Sequence, residues 1–231
     1  MSAFDVVTAS VTTLLRGGLG MRVGSPGPRP EQPLELYEFE GCPFCRRVRE
    51  TLSVLDLEAI VHPCPKGGHR FRDSVIERGG KAQFPYLVDP NTGKALYESG
   101  DIVDYLFQTY GGGAPPLALS GHPLSTLLVV GSGLGRGSAG TFVRASRAPD
   151  VPLELYSFEA SPFCRLVRER LCELELPYRL HNVAKGSPSR AAFVARSGKM
   201  QVPYLVDPNT GVALFESADI VEYLMETYAE A

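Results

Sequence analysis

The sequence predicts an α/β protein built from two copies of one small domain. Each copy is a small mixed sheet flanked by helices, and each is preceded by an extra helix. Three observations carry this expectation. The stretch Leu36-Tyr37-Glu38-Phe39-Glu40-Gly41-Cys42-Pro43-Phe44-Cys45-Arg46-Arg47-Val48 returns 119 residues later as Leu155-Tyr156-Ser157-Phe158-Glu159-Ala160-Ser161-Pro162-Phe163-Cys164-Arg165-Leu166-Val167. A chain of 231 residues has room for two units of ordinary domain size. Strand and helix patterns follow in the same order in both halves, and such alternation packs as helices on a sheet. The division is a leading helix and linker over 1–33, a first domain over 34–112, an interdomain helix and linker over 113–152, and a second domain over 153–231.

Residues 4–16 predict a helix with Val7, Val11, Leu14 and Leu15 on one face, ended by Gly17-Gly18. Pro26, Pro28 and Pro30 mark a linker. Residues 34–39 form the first strand and 43–55 a helix with Val48, Leu52 and Leu55 inward. A strand over 58–61 leads to the rigid loop His62-Pro63-Cys64-Pro65-Lys66-Gly67-Gly68, and a short helix spans 70–78. The strand 84–89 begins with a proline, which lacks an N–H and suits a strand start or edge. Asp89-Pro90-Asn91-Thr92-Gly93 is a turn, Ala95-Leu96-Tyr97 a short strand, and 101–109 a helix. The second half repeats this over 153–158, 162–174, 178–182, 188–197, 203–207, 212–215 and 219–228. Before it, 123–136 resembles the leading helix: Ser-Thr-Leu-Leu-Val-Val and a Gly-Leu-Gly tail parallel Ser-Val-Thr-Thr-Leu-Leu and Gly18-Leu19-Gly20. Two unrelated linkers rich in Gly and Ser are the alternative.

Bulk properties narrow the function. A net charge of −3 with no long basic stretch excludes nucleic acid as the expected partner. Five cysteines in an uneven pattern do not make a secreted disulfide framework. A cytoplasmic setting suits Cys-x-x-Cys better. No run reaches the ~18 apolar residues of a membrane span, so no membrane partner is expected. Asp5 ahead of the first apolar run argues against a secretory signal. Import into an organelle through residues 1–22 is the rival to a structural role.

Within this frame each half resembles the amino-terminal, thioredoxin-like domain of glutathione transferases, with a glutaredoxin-like Cys42-Pro43-Phe44-Cys45. The likeness covers about 34–110 and 153–229 and points to a chain with two tandem thioredoxin-like domains. It implies that Pro85 and Pro203 are cis and border the thiol. It implies that the backbone of Phe84 or Val202 pairs with the cysteinyl part of glutathione. Glu98-Ser99 and Glu216-Ser217 would hold the γ-glutamyl end. Glutathione is therefore the implied ligand or co-substrate. The large all-helical carboxy-terminal domain of transferases has no room here.

Read singly, the residues leave alternatives open. Cys42 at a helix N-terminus meets unpaired N–H groups and the positive dipole end, as a nucleophile would, with Arg46 and Arg47 one turn on and Glu40 opposing. An inert thiol is the alternative. Cys45 could resolve a mixed disulfide or only pack, as Cys164 does without a thiol at 161. Ser161 could cap its helix or donate to a glutathione thiolate. Glu98-Ser99 and Glu216-Ser217 could equally cap the helices they precede. Cys64 is a spare thiol or a loop residue, and Cys172 reads as core. His62 and His181 lack the partners of a metal site, and no metal is expected. Lys66, Lys185, Lys81 and Lys199 recur and could meet carboxylates or water. The readings of function are a glutathione-linked thiol–disulfide oxidoreductase using Cys42, a glutathione-binding transferase-like protein with little turnover, and a non-enzymatic pair of domains that binds a protein partner. A second copy of the chain is a further option, and an iron–sulfur cluster bridged between chains is a fourth idea.

Overall fold

β1 (Leu34–Glu38) runs parallel to β2 (Ala59–Pro63) on one side and antiparallel to β3 (Tyr86–Asp89) on the other, and β4 (Lys94–Leu96) closes that edge. The second half repeats the set with β5 (Leu153–Ser157), β6 (Tyr178–Asn182), β7 (Tyr204–Asp207) and β8 (Val212–Phe215). The computed structural model describes residues 3–24, 26–133 and 136–230.

The two sets do not stand apart. β2 pairs antiparallel with β6, giving one eight-stranded sheet in the order β4-β3-β1-β2-β6-β5-β7-β8. This overturns the expectation of two tandem thioredoxin-like domains, each with its own small mixed sheet. The physical reason lies in the edges. A half-sheet alone would present β2 as an unpaired row of N–H and C=O groups, and the mate that satisfies it is its own repeat. Ile60 lies opposite Arg179, its equivalent 119 residues on, flanked by Ala59 opposite Leu180 and Val61 opposite Tyr178. The register is thus symmetric about an approximate two-fold axis through that pair. One buried apolar cluster runs through both halves, from Leu34 and Leu36 to Leu153, Leu155 and Leu224.

Helices α2 (Pro43–Leu55), α4 (Ser99–Tyr110), α6 (Pro162–Glu173) and α8 (Ser217–Tyr228) cover the face with that cluster. α3 (Arg72–Gly79) and α7 (Ser189–Ser197) lie over the other face, above two smaller clusters that hold Tyr37 and Tyr86 and their equivalents Tyr156 and Tyr204. Alternation along each strand sends Leu36 to one face and Tyr37 to the other.

The leading helices cross over. α1 (Ala3–Leu15) packs on α6 and α5 (Pro123–Gly133) packs on α2, so each lies on the other half. Ala9 and Thr12 are fully buried in this contact, which gives the N-terminal segment a structural role. The chain after each helix is crossed too: Lys185 exchanges backbone hydrogen bonds with Met21 and Val23, and Lys66 with Thr141 and Val143. These matches correct the register read from the Gly-Leu-Gly tails. Arg16 corresponds to Arg136 and Gly20 to Gly140, an offset of 120 residues, while Leu134 and Gly135 of that comparison lie outside the described residues.

Candidate functional site

Cys42 sits at the N-cap of α2, followed by Pro43 in the first turn, where the missing N–H costs nothing. Its Sγ accepts the Cys45 N–H at 3.3 Å. The Cys45 thiol, hydrogen-bonded to it, pulls Cys42 below the ordinary thiol range. Burial opposes this, the Cys45 and Phe44 backbone N–H groups add to it, and Glu38 opposes it. Cys45 is itself driven well above the ordinary range, by burial first and by its bond to Cys42 second. Only Cys42 of the pair is therefore poised to ionise. Its access is narrow, at 5% exposure.

The surroundings revise two expectations from the sequence. Arg46 pairs with Glu50 at 3.1 Å and Arg47 bonds Ser99 and Thr126, so neither is aimed at the sulfur. Glu40 does not face the thiols either, but meets Arg49 of its own half and Arg168 across the two-fold axis. Between Glu40 and the thiols, Gly41 packs against another part of the chain: its N–H bonds Gly140 O at 3.1 Å, and a Cβ there would lie 2.1 Å from Thr141 Oγ1.

In the second half Ser161 holds the equivalent N-cap and accepts the Cys164 N–H at 3.3 Å. The capping role is thus present. Cys164 behind it is buried, and burial raises its pKa.

Phe84-Pro85 and Val202-Pro203 are both cis. Opposite each stands the acidic–Ser turn. Glu98 and Glu216 occupy the positions before α4 and α8, yet neither side chain caps its helix. Their carboxylates instead take hydrogen bonds from Gln83 and Gln201. Both glutamates adopt φ of +62°, the left-handed region that costs a residue with a Cβ about 1–2 kcal/mol. Helices α4 and α8 begin two residues earlier than the sequence predicts, so Ser99 and Ser217 fall in the first turn and are buried. In the second half Phe163, Gln201, Val202, Pro203, Glu216 and Ser217 line a hollow of about 180 Å³. In the first half Ser99 accepts a hydrogen bond from Arg47 at 3.2 Å, and Gly121 crosses close to Gly100. The structure thus gathers Pro203, Val202, Glu216 and Ser217 around one hollow. Sequence reasoning missed Gln83 and Gln201, whose signal was their place one residue ahead of Phe84 and Val202 in both halves.

The remaining residues have structural surroundings. Cys64 and Cys172 are buried free thiols, and Cys172 bonds Gly140 O. His62 and His181 stack on Tyr37 and Tyr156. Lys81 and Lys199 lie over the rings of Tyr97 and Phe215, and Lys66 over Phe142. Among the described residues no group of three or more His, Cys, Asp or Glu could hold a metal ion, and no helix is long and apolar enough to cross a membrane.

Between the halves lies a buried ionic lattice that the sequence did not announce. Arg49 meets Glu38 and, at 3.0 Å, Glu159, while Arg168 meets Glu159 at 2.8 Å and Glu40 at 3.1 Å. Further out, Arg16 binds Glu50 and Arg136 binds Glu169 in matching forks.

Compared with known proteins, the chain matches the family described as glutathione S-transferase, N-terminal domain, over residues 36–115 and again over 155–231. The reading as a tandem of separate transferase-type domains is corrected by the continuous sheet into which both matched segments fold. A glutathione S-transferase-like protein, tpcF, of Aspergillus fumigatus is 35% identical over 81 residues, 35% of this chain and 36% of that protein. Glutathione S-transferase omega-1 of Sus scrofa is 28% identical over 94 residues, 41% of this chain and 38% of that protein. Among solved structures, a Bombyx mori glutathione transferase, BmGSTD1, is 29% identical with a TM-score of 0.33, covering 36% of this chain and 38% of that one. The chain spans less than two fifths of the length of these relatives.

Proposed function

The chain belongs to the glutathione S-transferase N-terminal domain family, and we propose that it binds glutathione as a transferase-like protein, with the hollow of the second half as the main site. The observation that carries this is the strained pair of glutamates. A left-handed backbone at Glu216, without a capping bond to offset it, is the kind of local cost that persists at ligand-clamping positions. It aims the Gln201-supported carboxylate of Glu216 beside Ser217 over the hollow, a match for the ammonium and carboxylate of a γ-glutamyl group. The Val202 backbone next to Pro203 would pair with the cysteinyl unit. At about 180 Å³ the hollow is below the ~300 Å³ of a small-molecule pocket, so it takes one end of the tripeptide while the rest lies on the rim beside Phe163. Ser161 and the N–H groups at the start of α6 would face the glutathione sulfur, where a hydroxyl donor and a positive dipole end favour the thiolate.

Glutathione titration by calorimetry tests this. Glu216→Ala should weaken binding at least tenfold, and Glu98→Ala should do less, because Arg47 and Gly121 crowd its turn. Wild-type protein that takes up no glutathione would overturn the reading.

One observation favours a second activity in the first half, the depressed pKa of Cys42 at its N-cap. A Cys42 thiolate would attack a mixed disulfide of glutathione, form a Cys42–glutathione disulfide and expel the substrate thiolate. A second glutathione thiolate would then release Cys42 and leave as glutathione disulfide.

A further inference from the structure

A second concavity lies along the later turns of α6 and shares no lining residue with the hollow at Ser217. Its volume is about 760 Å³, inside the ~300–1,000 Å³ range of small-molecule sites. Arg144 and Arg170 stand side by side in its wall, held by one oxygen of Glu173. Arg144 Nε donates to Glu173 Oε2 at 2.8 Å, and Arg170 Nη1 donates to the same atom at 2.5 Å. The other oxygen of Glu173 accepts the Gly140 N–H at 3.0 Å. Glu173 is thus fully used as an anchor. Among the described residues neither guanidinium makes a further hydrogen bond, and Arg170 Nε is buried with no partner. Arg136, also in the wall, is already taken by Glu169, Asp5 and Thr8.

The repeat supplies an internal control. At the 119-residue offset Arg170 and Glu173 correspond to Thr51 and Val54. Arg144, whose N–H bonds Glu173 O, corresponds to Gly24, whose N–H bonds Val54 O. The first half therefore builds the same junction without charge at these three places. Its own concavity there has Arg22 as the one charged residue of its lining. The fold does not require the Arg–Glu–Arg cluster.

We propose that this cleft binds the phosphate group of a small phosphomonoester. A carboxylate ligand has two oxygens and is filled by a single guanidinium fork. Two forks fixed on one anchor leave donors for a group with more oxygens and more charge, as a phosphate has. Ser138 adds a hydroxyl to the wall, while Leu166 and Val221 offer apolar surface to the organic part. The three carboxylates of the lining do not repel such a ligand unscreened, because each holds a guanidinium: Asp5 and Glu169 that of Arg136, and Glu173 those of Arg144 and Arg170.

Calorimetric titration of the full chain with phenyl phosphate tests the proposal, with benzoate as the carboxylate control. One phenyl phosphate should bind per chain, at least tenfold tighter than benzoate and without competition from glutathione. Arg170→Thr, which places the first half's residue there, should weaken it at least tenfold. Arg144→Gln, at a side chain 55% exposed and safe for folding, should do the same. Both variants should keep the wild-type affinity for glutathione. Absence of saturable phenyl phosphate binding overturns the proposal. So does an affinity indifferent to both variants, benzoate binding as tight as phenyl phosphate, or displacement of phenyl phosphate by glutathione.

Discussion

Cys42 and Ser161 hold the same N-cap in the two halves, and each accepts an N–H from the residue three positions on. Sulfur at that place ionises more readily than a free thiol, whereas a hydroxyl can only donate or accept. The largest pull on Cys42 comes from the Cys45 thiol. The rate of iodoacetamide labelling at Cys42, followed by mass spectrometry across pH, should therefore show a midpoint below the ~8.5 of a free thiol. Cys45→Ala should move it upward. A wild-type midpoint at or above the free-thiol value would remove the exchange activity from consideration. These thiols, the two prolines and the Glu–Ser turns were legible in the sequence because motif and repeat mark them directly. The glutamine supports were marked only by their matching place ahead of Phe84 and Val202, since a glutamine there has no motif of its own and its bond to Glu98 or Glu216 spans 15 residues.

At the scale of elements, each half is pinned by a buried carboxylate at the end of a strand. Asp89 ends β3 and accepts from Tyr105 at 2.5 Å and Tyr110 at 2.6 Å on α4. Asp207 does the same for Tyr223 and Tyr228 on α8. Burial works against each charge, but the two tyrosines and the following asparagine more than offset it and hold both groups below the usual carboxylate range. A carboxylate with a depressed folded pKa stabilises the protein above its unfolded value of ~3.9 and loses that contribution as pH falls through the folded value. The melting temperature should thus drop steeply below about pH 4, and Asp89→Asn should flatten that drop while lowering stability at neutral pH. Tyr110→Phe should cost about 1.5–3 kcal/mol, the range for a hydrogen bond to a charged group. A neutral effect of Tyr110→Phe in chemical denaturation would show that the pin carries no load. The sequence marked Asp89-Pro90-Asn91-Thr92-Gly93 only as a turn. Its partners lie 16 and 21 residues on, beyond any turn pattern.

For the whole molecule, the repeat was plain in the sequence but its assembly was not. Arg46, Arg47, Arg49 and Glu50 give α2 a run of charge, yet all four are buried: Arg46 and Arg49 reach Glu159 of the other half, Glu50 pairs with Arg16, and Arg47 bonds Ser99 and Thr126. Which edge β2 would choose, and which half α1 would cover, depend on contacts more than a hundred residues apart. With one sheet, one core and crossed helices, the chain should unfold in a single calorimetric transition. Arg49→Ala leaves Glu38, Glu40 and Glu159 short of a partner and should lower stability by about 3–5 kcal/mol, with hydrogen exchange rising in both halves together. Two resolved transitions, or a loss confined to the first half, would contradict this view of the fold.

The β2–β6 register and the crossed leading helices have the symmetry of a two-fold homodimer, held here within one chain. Holding both halves in one chain makes their assembly independent of concentration, because the partner is always tethered at high effective concentration. It also lifts a constraint that binds every true homodimer, in which both sites must share one sequence. Here the two halves differ where it matters for chemistry: the first has two thiols at the start of α2, and the second has Ser161 at the matching N-cap of α6.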